Sequence, residues 1–258
     1  MKINIHAGHN IDGKIACGAI GLIKESTEAR KVKNEIIKLL KQEGHVVYDC
    51  TVDNGTSQND VLQKIVTKCN QYKVDLDVSI HFNAGANDKN GNGKSCGTEV
   101  LVYKVGNSAT KYATNITNNI SKLGFKNRGI KASNVYILRK TNSPAILIEC
   151  CFVDDADDVK LYNYKTMAKA IVEGILNKKI NDCENKKYGV NISYFSTKEK
   201  AESFSKTLTE KECAYNEIYQ DKKGFGIKVS SFSTKEKAEN FKKKLNDKYC
   251  AYSDIIEL

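Results

Sequence analysis

The stretch Ala145–Cys151, which reads Ala-Ile-Leu-Ile-Glu-Cys-Cys, constrains the fold more than any other part of the chain. A strand with one wet face alternates apolar and polar residues, and this one is nearly all apolar. It is expected to be buried on both faces, as strands of parallel sheets are. Glu149 interrupts the run, and a carboxylate in such surroundings is costly unless it is paired or functional. The structural alternative is a buried glutamate satisfied by Arg or Lys.

The rest of residues 1–178 fits around that strand. Residues 2–6 alternate, Gly8 lets the backbone turn, and His9 follows the strand end. A helix is expected from about Ser26 to Glu43, with Gly44 as its stop. His45–Cys50 reads as a short strand, and Ser57 opens a second helix. A strand from Val74 runs into Ile80-His81-Phe82-Asn83, and Gly97–Tyr103 is another. Between them Ala84–Gly97 is a long Gly- and Asn-rich loop of the kind that borders binding sites. Further helices are expected over Asn107–Leu123 and Tyr164–Asn177, with a short extended piece at Asn134–Leu138. Strands alternating with helices predict an α/β domain with a twisted, mostly parallel sheet flanked by helices.

Residues 179–187 are polar and aperiodic and read as a linker. Beyond them Phe195-Ser-Thr-Lys-Glu-Lys-Ala201 returns letter for letter as Phe232-Ser-Thr-Lys-Glu-Lys-Ala238, and Cys213-Ala-Tyr215 returns as Cys250-Ala-Tyr252. A fixed offset marks duplicated structure. Each copy reads β-α-β, with capping boxes at Ser196/Glu199 and Ser233/Glu236. Two such units predict a small α+β, ferredoxin-like domain over 188–258, with both helices on one face of a four-stranded antiparallel sheet. Asn191, Ser193, Lys228 and Ser230 alternate onto the open face.

Composition narrows the class. Of 258 residues 40% are hydrophobic and 28% charged, as in soluble globular proteins. No apolar run is long enough to span a bilayer, and no basic-then-apolar leader opens the sequence. The expectation is a protein made in the cytoplasm that reaches its target after release or lysis. The formal charge of +10 favours an anionic partner, but the lysines alternate with Glu and Asp along helices. That pattern argues for solvated faces and against nucleic acid as the partner. The nine cysteines include no CxxC pair, and they read as reduced thiols.

His9, Glu25 and His81 are candidate metal ligands. A catalytic zinc typically takes three protein ligands and leaves one position open. His9 and His81 end separate strands, where open α/β sheets collect ligands, and Glu25 sits at the turn into the first helix. Each has a plainer reading alone, Glu25 as favourable charge at a helix start. Desolvation at Glu149 would raise its pKa, which suits a general base.

In order, Gly8-His9, Lys24-Glu25, Ser79-Ile80-His81-Phe82-Asn83-Ala84 and Pro144–Glu149 resemble the motifs of zinc-dependent N-acetylmuramoyl-L-alanine amidases, the type found in autolysins, spore-related lysins and phage endolysins. Gly97-Thr98-Glu99 and Arg128-Gly129 also look like blocks of that family. The resemblance implies one Zn2+ held by His9, Glu25 and His81, with Glu149 as the catalytic glutamate. It also implies peptidoglycan as the substrate, cut between N-acetylmuramic acid and L-alanine. The sequence departs from the family's usual Gly-Gly-x-Asp-x-Gly-Ala run: Asn10-Ile11-Asp12 follows His9 and only Gly18-Ala19 remains. Phe152-Val153-Asp154 likewise replaces an ending with Asn. The C-terminal repeat resembles the SPOR domain, which binds peptidoglycan glycan stripped of stem peptides. Asn191 and Lys228 stand where that family often has Gln and are the candidate substrate-binding residues. Two rival readings are a zinc peptidase acting on stem peptides and a non-catalytic wall-binding protein with a degenerate metal site.

Overall fold

The structure, a computed structural model, describes residues 1–180, 188–212, 216–232 and 234–257, without the side chains of Ser193, Ser230 and Ser231. The chain divides into two compact units, Met1–Ile180 and Asn181–Leu258. Residues 181–187 lie outside the described residues.

In the first unit, strands β1 (Lys2–Ala7), β2 (Val46–Asp49), β3 (Leu76–Asn83), β4 (Thr98–Val102), β5 (Asn127–Ala132) and β6 (Ala145–Phe152) form one sheet in the order β2-β1-β3-β6-β4-β5. β2, β1, β3 and β6 run parallel, while β4 pairs antiparallel with β6 and carries β5 parallel to itself. The apolar run is therefore β6, interior to the sheet, and all of its residues except Glu149 are buried.

The helices are α1 (Glu25–Gln42), α2 (Gln58–Cys69), α3 (Thr110–Ser121), α4 (Tyr136–Lys140), α5 (Ala156–Leu161) and α6 (Tyr164–Leu176). Ile3, Ile5, Val78, Ile80, Ile146 and Ile148 point to one face of the sheet and form the main core with Val32, Ile36, Ile116, Met167 and Ile171 from α1, α3 and α6. The opposite face is more polar. α2 brings Val61 and Ile65 and α4 brings Ile137 into a smaller cluster. Asn4, His6, Asp77 and Ser79 are buried on this face, and Asn4 donates to Asp77 at 2.6 Å.

Three elements depart from the sequence reading. β5 has no apolar alternation in Asn-Arg-Gly-Ile-Lys-Ala, and it exists because β4 offers it a pairing edge. Residues read as an extended piece instead enter α4 at Tyr136, after Val135 in extended conformation. α5 is one short acidic turn capped by Asp155, which accepts from Asp158 N–H.

The second unit comprises β7 (Tyr188–Phe195), α7 (Lys198–Glu212), β8 (Asn216–Asp221), β9 (Gly224–Phe232), α8 (Lys235–Tyr249) and β10 (Ser253–Glu257). Its described strands form an antiparallel sheet ordered β10-β7-β9-β8, the ferredoxin-like arrangement. Ala201 and Leu208 of α7 and Ala238 and Leu245 of α8 pack on Val190, Ile192, Ile227 and Val229. The helix caps lie one residue beyond the expected serines. Thr197 accepts from Lys200 N–H and Thr234 from Lys237 N–H, while Ser233 lies outside the described residues.

Candidate metal centre

The carboxyl ends of β1 and β3 bring the site together. Gly8 N–H donates to the Ile80 carbonyl, which holds the turn after β1 against β3. The imidazole of His81 then lies directly over Gly8, where a Cβ would fall 1.9 Å from its Cε1 and Nε2. His9 meets that ring edge-on, with centroids 4.9 Å apart. Its carbonyl accepts from Arg30, whose guanidinium is also paired with Asp53. The altered segment after His9 is pinned by buried Asn10, which donates to the carbonyls of Ile15 and Gly55 and accepts from Gly55 N–H.

Glu25 is the first residue of α1 and is 4% exposed. Its Oε2 accepts from Ala19 N–H at 2.8 Å and its Oε1 from Phe82 N–H at 3.1 Å. Oε1 also lies 3.1 Å from His81 Nδ1 and 3.3 Å from His9 Nε2. Gly18, at φ +83°, passes so close that a Cβ there would sit 2.5 Å from Glu25 Oε2. The three side chains offer ligand atoms that all lie within 4.8 Å of one another, and among the described residues they are the only such group.

These residues fit a zinc ion. Ligand atoms held tetrahedrally at zinc-ligand distances stand about 3.3 Å from one another, the spacing seen on Glu25 Oε1. Two imidazole nitrogens and a carboxylate oxygen are a zinc donor set. Burial works to raise the Glu25 carboxyl, but the hydrogen bonds from His81 and His9 outweigh it and hold it well below the usual carboxylate range. Burial lowers His81, which keeps its imidazole neutral, as a ligand must be.

Glu149 is the register partner of His81 across β3 and β6 and of Glu99 across β6 and β4. Its Oε2 is buried without a hydrogen-bond partner, so the alternative of a glutamate satisfied by a basic group is not what the fold provides. Burial first, then the charges of Glu25 and Glu99, push its carboxyl up to about 8. His9, His81 and Glu149 line a cavity of about 340 Å³ whose walls are otherwise largely apolar, with Val61, Leu101, Tyr136 and Leu147 among them.

The sequence reading missed the cavity wall from α4, and it noted Glu99 and Arg128 only as family-like blocks without a role and Lys131 not at all. Glu99 accepts from Arg128 Nε at 2.6 Å and from Lys131 Nζ at 2.5 Å. The alternation of Glu99 and Leu101 was the available signal that both face the site. Asn191 and Lys228 are register partners on β7 and β9 in the second unit, and both are partly buried.

The long loop after β3 is built on carboxylates. Asp154 accepts from the N–H groups of Gly85, Ala86 and Asn87, and Asp157 from those of Asn92, Gly93 and Lys94. Asp158 accepts from the Ser95 hydroxyl and from Gly97 and Phe152 N–H. An aspartate at 154 thus replaces the expected asparagine with a pure acceptor, which three converging N–H groups require.

Residues 3–178 match the family model described as N-acetylmuramoyl-L-alanine amidase. An uncharacterized protein of Clostridium perfringens is 39% identical over 187 residues, covering 70% of this chain and 53% of that protein. The endolysin of Bacillus phage SPP1 is 30% identical over 178 residues, covering 66% and 61%. The solved catalytic domain of the CD27L endolysin, targeting Clostridia difficile, superposes with a TM-score of 0.63 at 33% identity, covering 70% of this chain and 99% of that domain. The chain spans about half the length of the first of these relatives. Ordered motifs, fold and family match agree, and the chain belongs to the N-acetylmuramoyl-L-alanine amidase family.

Proposed function

We propose that this chain is a peptidoglycan hydrolase that cuts the amide between the lactyl group of N-acetylmuramic acid and L-alanine. The observation that carries the reading is the convergence of His9, Glu25 and His81, with both histidines and an unpartnered Glu149 lining one cavity. His9 Nε2, His81 Nδ1 and Glu25 Oε1 would hold Zn2+. When bound, the ion supplies Lewis acidity toward the amide carbonyl and lowers the pKa of the attacking water.

The protein's own groups do the rest. Ala19 and Phe82 N–H fix the Glu25 carboxylate, and Gly8 fixes the plane of His81. Glu149 takes a proton from the attacking water on Oε2 and passes it to the departing alanine nitrogen. Burial raises its carboxyl above the ordinary range, which favours the proton-donating half of that cycle. The apolar walls exclude bulk water and strengthen each of these charges.

The second unit serves as a wall anchor in this reading. A tethered glycan-binding module raises the local concentration of the catalytic unit on an insoluble substrate. Asn191 and Lys228 on the open sheet face are its proposed contacts, and the excess of lysine favours an anionic wall. No helix of the described residues is long and apolar enough to cross a membrane. The chain is proposed to reach the wall after release or lysis.

Zinc content of the purified chain and mass spectrometry of digested peptidoglycan, with and without chelator, test the reading. A new L-alanine amine on intact stem peptides, lost with zinc, is expected. Cuts within stem peptides would instead show the peptidase.

A further inference from the structure

Beyond Glu149 the sheet carries a second charged group that the proposed chemistry does not use. One row of side chains runs across it: His81 on β3, Glu149 on β6, Glu99 on β4, then Arg128 on β5. The neighbouring row is Leu147, Leu101 and Lys131, whose first two members line the cavity. Arg128 and Lys131 both reach a single oxygen, Glu99 Oε2, while Glu99 Oε1 accepts from Asn83. Two cations on one carboxylate leave one positive charge in excess. Lys131 is 45% exposed in its side chain, and Arg128 is braced against the Phe152 ring with 5.0 Å from guanidinium to centroid.

The charge pattern has a direction. Moving away from the metal ligands the row runs from Glu149 through Glu99 to the cations on β5, and an anionic group beyond the reacting end would be attracted to those cations. Two strand spacings, about 10 Å, separate β6 from β5. An extended peptide covers that distance in about three residues.

We propose that Lys131 and Arg128 form a carboxylate-binding subsite that holds a free acid group of the stem peptide two to three residues beyond the scissile amide. The subsite orients the peptide over Glu99 toward β5 and makes acidic stems better substrates than amidated ones. The proposal rests on the amidase reading for what occupies the cavity.

The test uses the full, zinc-loaded chain carrying Glu149→Gln, so that ligand is not turned over. Two muramoyl tripeptides, identical except that the second and third residues bear carboxylates or carboxamides, are titrated calorimetrically at low salt. The acid form is expected to bind roughly tenfold tighter, the scale of one hydrogen bond between charged groups. Adding Lys131→Gln should shrink that ratio several-fold, and Lys131→Arg should keep it. Equal binding of the two forms, binding of neither, or an equal loss of both in Lys131→Gln would overturn the subsite and leave a purely structural ion pair. Failure of the amidase reading shows separately, as walls left uncut by the parent chain while the acid preference persists.

Discussion

Glu149 and His81 are register partners on adjacent parallel strands, so one inter-strand spacing of about 4.8 Å carries the proposed proton acceptor beside a proposed metal ligand. Strand pairing places both backbones, and the His81 ring rests besides on Gly8 in the turn after β1. Hydrogen bonding across β3 and β6 fixes both, and a variant at one leaves the backbone of the other where it was.

Glu149→Gln keeps the shape of this pair and removes the proton acceptor. Wall lysis is expected to fall by at least about a hundredfold. Zinc content should stay at the parental level. Turbidity assays on purified walls, with metal analysis of the same preparation, check both halves. A variant that lyses walls at the parental rate would sink the mechanism.

Gly8→Ala tests the support beneath His81 instead of the ligand. A methyl group there needs the space now held by the imidazole. Zinc affinity is expected to drop by about 10–100-fold, the scale of lost outer-shell support. Competition with a chromogenic chelator reads it directly.

Metal-free protein should show a pH signature of Glu149. Its carboxyl lies near 4.5 in the unfolded chain and is raised to about 8 in the folded one. Between those values the folded state holds a proton that the unfolded state has lost, so stability falls as pH rises through the window. Thermal denaturation in chelator from pH 5 to 8 should show the parent declining more steeply than Glu149→Gln. Equal slopes would mean that the carboxyl is not raised.

The main strands and the residues that cluster as candidate metal ligands were legible because their signals are local. β6 is a solid apolar run, β3 ends in Ile-His-Phe-Asn, and the 37-residue repeat is literal. β5 was not legible, because Asn127–Ala132 becomes a strand only through pairing with β4. α4 was hidden by its length of five residues, too short for helical periodicity to show. The partners of Glu99 were beyond sequence reasoning for a related reason. A bulge between Thr98 and Val100 sets which β5 residues stand opposite it, and spacing alone does not reveal a bulge.

Gly174 marks where α6 and α3 touch. A Cβ there would lie 2.6 Å from Ile116 Cγ1 and 2.7 Å from its Cα. Gly174→Ala should therefore destabilise the first unit by about 1–3 kcal/mol despite the better helix propensity of alanine. Chemical denaturation of the full chain, followed by a probe in the first unit, measures it.

The loop from Ala84 to Gly97 takes its backbone partners from aspartates 61 to 69 positions downstream. A nascent chain emerging from the ribosome cannot set this rim until Asp158 has been synthesised. Both histidines and Glu25 are out by then, but the ground beside them stays unformed. Interior strand β6 and core helix α6 are also supplied by this late stretch of chain, so rim and core of the first unit close together once it has been made.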